Sequence, residues 1–295
     1  MDKICVLGSI TIDNTVYTDN LPIGGMTVFG TSTISNLGGK GANQAAAIHK
    51  LGGNILFFSS IGKDKNGEFI KEELDKVGMK YELKESDRNS TVAFIIIDNK
   101  TAENRIIMVP GANLDLSDKD IDLWWNLIKD SKYLVTQLET NIDTTMHLIK
   151  RAKEAGITVI LNPAPYSPFD LKYLQFVDFL VPNEHELEQI ANEGNTFEEK
   201  AKSLLKYGVK NVIVTLGEKG SLLVNTQEVY EQTAIKVEAV DTTGAGDSYI
   251  GAFTYALSNK MGVREAMAFA TKASSITVQR KGAIISLPSI EEMKR

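Results

Sequence analysis

The stretch of this chain best equipped for chemistry is Asp241-Thr242-Thr243-Gly244-Ala245-Gly246-Asp247. It opens an apolar run through Ile250, Phe253 and Leu257, which predicts the first turn of a buried helix. Glycines at 244 and 246 let backbone approach a ligand closely. The free N–H groups of a first helical turn then point at anything anionic, helped by the helix dipole. Asp247 alone could be an electrostatic cap. A cap explains neither the Gly-Ala-Gly nor the second acid at Asp241.

Gly38-Gly39-Lys40-Gly41-Ala42-Asn43 precedes an Ala-rich helix and brings glycine backbone, a cation and an amide to one turn. It is not a Walker P-loop, since Gly-x4-Gly-Lys-Ser/Thr is absent, and Gly25 to Gly30 with Thr31-Ser32 lacks the lysine. Gly8 opens no Gly-x-Gly-x-x-Gly, so a NAD-dependent oxidoreductase is disfavoured. In Pro182-Asn183-Glu184-His185-Glu186, Asn183 and Glu186 have capping-box spacing. The same pair could orient waters on Mg²⁺, which keeps much of its hydration shell. Thr215-Leu216-Gly217-Glu218-Lys219-Gly220 is a glycine-bounded turn that could lie under a nucleotide or simply reverse the chain.

His49, His147 and His185 share no ligand spacing, and Asp170 and the Glu184–Glu188 run read as solvated charges. Trp124-Trp125 reads as packing, and the single cysteine, Cys5, as a buried strand residue in a reducing compartment. A chain of 295 residues with 43% hydrophobic and 24% charged residues can bury a large core without disulfides. Its net charge of -6 disfavours nucleic acid as the main partner. Neither a signal peptide nor an 18-residue apolar span is read, so no membrane is expected and the location expected is cytoplasmic.

The elements that must position these residues come next. Strands are expected at Lys3–Ser9, Asn54–Ile61, Tyr133–Gln137, Thr158–Leu161, Val177–Val181 and Val212–Thr215. Helices are expected at Gly41–Leu51, Lys65–Val77, Asp118–Lys129, Ile142–Ala155, Glu184–Ala191, Phe197–Tyr207, Ala245–Ser258 and Val263–Val278. Strands alternating with long helices imply βαβ units, hence an α/β, doubly wound, mostly parallel sheet. Short β segments at Thr15–Thr18 and Thr27–Ser35, a hairpin of Ser90–Asp98 and Glu103–Val109 turning at Asn99–Ala102, and a β stretch at Ser221–Lys236 complete the reading. One domain spanning 1–295 is expected, with a β-rich lid assembled from about 12–36 and 90–110.

In this order and spacing the stretches resemble the ribokinase (PfkB-type) sugar kinase family over essentially the whole chain. Gly38–Asn43 and Asp241–Asp247 match its two signatures. Gln137-Leu138-Glu139, Asn162-Pro163-Ala164-Pro165, Pro182-Asn183-Glu184 and Gly111-Ala112-Asn113 match between them. The resemblance implies an ATP-dependent kinase acting on the terminal hydroxyl of a small sugar, with D-ribose to D-ribose 5-phosphate as the specific expectation. Deoxyribose, fructose, adenosine, pseudouridine and a non-catalytic sugar-binding regulator are the alternatives.

It further implies Asp247 as the base, and the N–H groups of Gly244, Ala245 and Gly246 as the anion hole. The sugar would be held by Thr11, Asp13, Gly39, Lys40, Gly41, Asn43 and Glu139. ATP would lie against Asn183, Thr215, Gly217, Gly220, Gly246 and Thr271, with Asn183 and Glu186 organising Mg²⁺ through water. A K⁺ site is implied at Asp241, Thr243, Thr277, Arg280, Gly282 and Ser286, and a homodimer through the lid. The family commonly carries Asn-x-Asp where this chain has Thr11-Ile12-Asp13, and Thr lacks an amide's two donors. Tyr249 stands where Phe is usual.

Overall fold

The structure, a computed structural model, describes residues 1–101 and 103–294; Ala102, the last residue of the expected hairpin turn, and Arg295 lie outside the described residues. Ile4-Cys5-Val6-Leu7 is apolar without a break, the pattern of a strand covered on both faces, and forms β1 (Ile4–Leu7), wholly buried. The chain then runs through β2 (Thr11–Thr18), β3 (Gly30–Gly38), α1 (Lys40–Lys50) and β4 (Ile55–Gly62). Next comes α2 (Lys65–Val77), capped by Asp64 and stopped by Gly78 in the left-handed conformation. After it come β5 (Tyr81–Ser86), β6 (Val92–Asp98) and β7 (Asn104–Val109).

The second half alternates as its sequence pattern requires: α3 (Asp118–Ile128), β8 (Tyr133–Thr136), α4 (Ile142–Glu154), β9 (Thr158–Leu161), β10 (Phe179–Leu180), α5 (Glu184–Ile190), α6 (Phe197–Leu205) and β11 (Asn211–Thr215). It ends in the hairpin β12 (Ser221–Asn225) and β13 (Val229–Gln232), then α7 (Ala245–Ser258), α8 (Val263–Thr277) and α9 (Ile290–Met293).

Nine strands form the main sheet in the order β13-β12-β11-β10-β9-β8-β1-β4-β5. It is parallel from β5 to β11, and β12 and β13 add an antiparallel edge. Alternation along β1 divides the core: Ile4 and Val6 join Ile48, Leu74, Phe253 and Met267 on the face of α1, α2, α7 and α8. Cys5 and Leu7 join Ile121, Ile149, Leu187 and Leu204 on the face of α3 to α6. The sheet is therefore wound on both sides. Because the chain goes from β1 toward β4 and β5, then returns to β8 and continues outward, the direction of winding switches between β1 and β8. In such sheets the crevice beyond the strand ends at that point is the natural ligand site.

A second sheet has the order β3-β2-β6-β7, in which β2 and β6 run parallel and the other pairs antiparallel. The lid segments therefore do come together. The hairpin of β6 and β7 forms as expected, whereas β2 and β3 extend nearer to Gly38 and Thr11 than the composition suggested. Strand β5 was not expected; it is a charged edge strand in which Tyr81 and Leu83 pack against the core.

Candidate active site

The crevice between β1 and β8 is floored by residues just past the strand ends. Gly8 and Ser9 follow β1, and Gln137 and Glu139 follow β8. At Gly39 the backbone takes φ 92, a left-handed conformation that favours glycine, and α1 begins there. Gly41 admits the helix against β1: a Cβ there would stand 2.5 Å from the Gly8 carbonyl carbon. The backbone N–H of Lys40 donates to Glu139 Oε2 at 3.0 Å, and the Ser9 hydroxyl donates to the same oxygen. Glu139 is thus the acceptor at the start of α1, an arrangement in which the helix dipole favours its charge.

Helix α7 enters from the opposite side. Gly244, φ 74, is its left-handed N-cap, and Asp247 lies in its first turn, 7% exposed. The Asn43 amide donates to Asp247 Oδ2 at 2.9 Å, and the Gln44 amide donates to Oδ1 at 2.9 Å. The Ala245 N–H donates to the Thr242 carbonyl at 3.2 Å, so of the expected anion-hole donors it already has a partner. Gly246 is exposed, and a Cβ built there would meet nothing within 4 Å.

A cleft of about 220 Å³ opens above these groups, lined by Lys40, Asn183, Glu186, Thr215, Gly246 and Asp247. Its far wall is the ends of β10 and β11, which approach closely enough for Asn183 and Thr215 to pair as an isolated parallel bridge. Asn183 and Glu186 form the expected capping box: Glu186 N–H donates to Asn183 Oδ1 at 2.8 Å, and Asn183 N–H donates to Glu186 Oε2 at 2.9 Å. Glu186 is not a solvated charge, as its run suggested, but is 8% exposed and turned into the cleft. Burial raises its carboxyl above the ordinary value, with Asp247 adding to burial and the Asn183 N–H and Lys40 opposing it. Burial alone would lower the Lys40 ammonium, but Asp247, Glu139 and Glu186 raise it overall, so it stays a cation among three carboxylates.

On the lid side, the Thr11 hydroxyl donates to Asp13 Oδ1 at 2.7 Å. Gly38 makes the room, since a Cβ there would stand 2.0 Å from Asp13 Oδ2. Burial raises the Asp13 carboxyl; the Thr11 hydroxyl opposes this and the Glu139 charge reinforces it.

A separate knot of backbone surrounds Asp241. Its carboxylate accepts the Thr243 N–H at 2.9 Å and the Gly282 N–H at 2.8 Å. Partial burial works against its ionisation, but the hydrogen bonds from Thr243 and Gly282 hold it below the ordinary carboxylate value. Arg280 reaches the Ser286 carbonyl at 3.5 Å and pairs with Glu292. The Thr277 hydroxyl does not join this group and lies 2.8 Å from Ser248 Oγ, while its carbonyl accepts the Arg280 N–H at 3.1 Å. Gly217 and Gly220 shape the turn after β11, where the Leu216 N–H donates to the Gly220 carbonyl at 2.8 Å. Thr271 is buried in α8 with its hydroxyl on the Met267 carbonyl, outside the residues lining the cleft. Sequence reading gave no role to Ser9, Gln44, Gln137 or Thr242, although each touches this site. Cys5 is buried, and Trp124 packs on Phe58 with ring centroids 5.2 Å apart, as expected.

Comparison with known proteins follows the same lines. A family model for pfkB family carbohydrate kinases matches residues 1–290. A ribokinase of Lactococcus lactis is 35% identical over 100% of this chain and 96% of its own length. A deoxyribokinase of Salmonella typhi is 37% identical over 98% of this chain and 96% of its own length. A crystal structure of a ribokinase from Thermotoga maritima superposes with a TM-score of 0.93 at 39% identity, covering 100% of this chain and 98% of that one.

Proposed function

This chain belongs to the pfkB family of carbohydrate kinases, an ATP-dependent sugar kinase family, and from that premise we propose that it phosphorylates the terminal hydroxyl of D-ribose to give D-ribose 5-phosphate. The observation that carries this reading is the Asp247 carboxylate, held by two amides beside open backbone at Gly246 and sharing one cleft with Lys40, Asn183, Glu186 and Thr215. The sugar hydroxyl oxygen bonds to the γ-phosphorus as the bond from phosphorus to the bridging oxygen of ADP breaks, and its proton passes to Asp247. Phosphoryl transfer asks mainly for positioning and charge stabilisation. Lys40 supplies a cation, and the first turn of α7 supplies N–H donors and its dipole. Asp13, Asn43 and Glu139, with the Gly39-Lys40-Gly41 turn, hold the remaining hydroxyls. The nucleotide lies along Asn183, Thr215, Gly217 and Gly220, with Thr271 behind it.

Among the described residues no group of three or more His, Cys, Asp or Glu is placed to cage a metal. A single carboxylate, Glu186, facing the phosphate side of the cleft fits the mode in which Mg²⁺ keeps most of its waters and is shared with phosphates. When bound, that ion neutralises phosphate charge; Asn183 and Glu186 would hold its waters. The Asp241 knot, an ionised carboxylate whose own N–H donates to the Val278 carbonyl at 3.1 Å, fits a monovalent cation such as K⁺. Its residues tie the segment before α7 to the segment after α8.

The lid completes the reading. Register places Asp13, Ala93 and Met108 in one row, and Thr15, Ile34, Ile95 and Ile106 in the next, on the same face. Ile34, Ile106 and Met108 are 43%, 57% and 46% exposed. A second copy's lid is the cover this apolar face fits, giving a homodimer, with body and lid working as one cytoplasmic domain. Among the described residues no helix is long and apolar enough to cross a membrane.

A second reading, 2-deoxyribose, is favoured by Thr11, whose hydroxyl is spent on Asp13 where the family's amide would offer donors. The test is ADP release from ATP with Mg²⁺ across D-ribose, 2-deoxyribose, fructose, adenosine and pseudouridine, each with and without K⁺. Preference for ribose with activation by K⁺ supports both the sugar and the cation knot. Preference for 2-deoxyribose moves the assignment to the Thr11 corner, and no turnover with any of the five overturns the ribose reading and leaves a narrower kinase or a binding protein, which calorimetry separates.

A further inference from the structure

Beneath the cleft floor lies a chain of side-chain amides from three different elements. Gln44 on α1, Gln137 after β8 and Asn162 after β9 are 0%, 0% and 6% exposed. Apolar side chains could fill this space with no polar groups to satisfy, so the amides need a reason. Gln44 Nε2 donates to Asp247 Oδ1 at 2.9 Å and to Asn162 Oδ1 at 3.2 Å, and Gln44 Oε1 accepts from Gln137 Nε2 at 2.6 Å. Asn162 in turn donates to the Val181 carbonyl at 2.9 Å. Every hydrogen-bonding group of the Gln44 amide is used.

That saturation removes any choice of orientation. An ionised carboxylate only accepts, so Gln44 must present its NH₂ to Asp247. Turning the amide over would set its oxygen against the carboxylate and its NH₂ against the NH₂ of Gln137. Gln137 takes its orientation from the same chain of bonds, its NH₂ facing the Gln44 oxygen; its own Oε1 has no hydrogen-bond partner among the described residues and packs against Gly8, where a Cβ would come within 1.9 Å. Helices α1 and α7 approach closely enough for this contact because of Gly251, where a Cβ would stand 2.4 Å from the Ala47 Cβ.

We propose that Gln44 is a positioning residue for the catalytic base: oriented by Gln137, it fixes one carboxylate oxygen of Asp247 while Asn43 fixes the other. The carboxylate has about four lone-pair directions, so one bond to each oxygen leaves room for the substrate's proton. The inference rests on Asp247 being the base, and it adds a residue that touches neither sugar nor nucleotide.

The experiment compares Gln44→Met, Gln137→Met, Asp247→Ala and the Gln44→Met/Asp247→Ala pair by steady-state sugar phosphorylation in the full-length protein. Misplacing a reacting group by about 1 Å can cost roughly 10²-fold. Gln44→Met is therefore expected to lower kcat about ten- to hundredfold, with the KM of sugar and of ATP changed less than about threefold. Gln137→Met, which removes only the orienting donor, should lower kcat about three- to tenfold. In the Asp247→Ala background, Gln44→Met should change nothing more, because its effect runs through the missing carboxylate. Wild-type kcat in Gln44→Met, a matching rise in KM, or an undiminished further loss in the double variant overturns the proposal. If Gln44→Met does not fold, an unchanged kcat in Gln137→Met overturns it and a lowered kcat at constant KM supports it. Full turnover by Asp247→Ala alone marks the separate failure of the base assignment.

Discussion

The cleft floor and the lid are built on opposite principles. On the floor, Asn43, Gln44, Gln137 and Asp247 are buried, and all but two of their polar side-chain atoms find partners within the chain. In the lid, every residue of β7 is exposed, and β2, β3 and β6 carry Val16, Ile34 and Phe94 to solvent. A carboxylate held by two buried amides can keep its geometry without a ligand, as a site for a developing charge requires. A region with bare apolar surface is finished only when something covers it. In the function proposed, this contrast becomes a division of labour: the body fixes the chemistry, and the lid is completed by sugar and by a second copy.

The sharpest way to break this contrast is Asp247→Ala. Loss of a positioned base should cost about 10²–10⁴-fold in kcat, while calorimetry still detects sugar binding, because Asp13 and Glu139 remain. Loss of sugar binding as well would mean that the floor binds rather than reacts.

Next is Gly41→Ala, whose Cβ would fall 2.5 Å from the Gly8 carbonyl carbon and 2.6 Å from the Ser9 nitrogen, both backbone atoms. Overpacking of this kind costs about 1–3 kcal/mol. A melting temperature several degrees lower, with kcat down at least about tenfold, is the expected result; an unaltered enzyme would show that the floor is not rigid.

Ile106→Lys tests the other region. It should shift sedimentation from dimer to monomer and raise the sugar KM a fewfold, leaving the body's melting temperature within about 2 °C because surface changes cost little. A monomeric wild-type protein would remove the second copy from the reading.

The smallest effect is expected at Glu292. Its hydrogen bond and charge pairing with Arg280, with the Ser289 N–H, lower its carboxyl from 4.5 to about 2. A depressed acid stabilises the fold above its unfolded value and loses that contribution as pH falls through its folded value. Glu292→Gln should therefore melt slightly below wild type at pH 6, and the gap should close between about pH 4.5 and 2. A gap independent of pH would detach Glu292 from Arg280.

The body was largely legible because its apolar runs and helix periods are set by burial on both sheet faces, and Gly38–Asn43 and Asp241–Asp247 announce backbone close to a ligand. Strand β5 was not, since Tyr-Glu-Leu-Lys-Glu-Ser offers only two apolar residues and takes its shape from pairing with β4. The parallel pairing of β2 with β6 could not be read either, because Thr-Ile-Asp-Asn-Thr-Val-Tyr-Thr in β2 carries no clean apolar alternation to set a register against a partner far along the chain. Gln44 sits in an Ala-rich helix where a glutamine reads as surface, and its partner Asp247 lies 203 residues away. The winding of the sheet brings them together, and no local pattern records that.

The place of β1 also bears on how the molecule assembles. Ile4 stands opposite Ile55 on one side and Tyr133 on the other, so β1, which precedes both partners in the chain, becomes an inner strand of the sheet. Its second edge stays open until well over a hundred residues more have been synthesised, and parallel pairing over such a separation is slow. Until β8 arrives, an unpaired apolar edge is presented to other chains. The crevice where β1 meets β8, the proposed site, therefore cannot begin to close until the chain has reached β8.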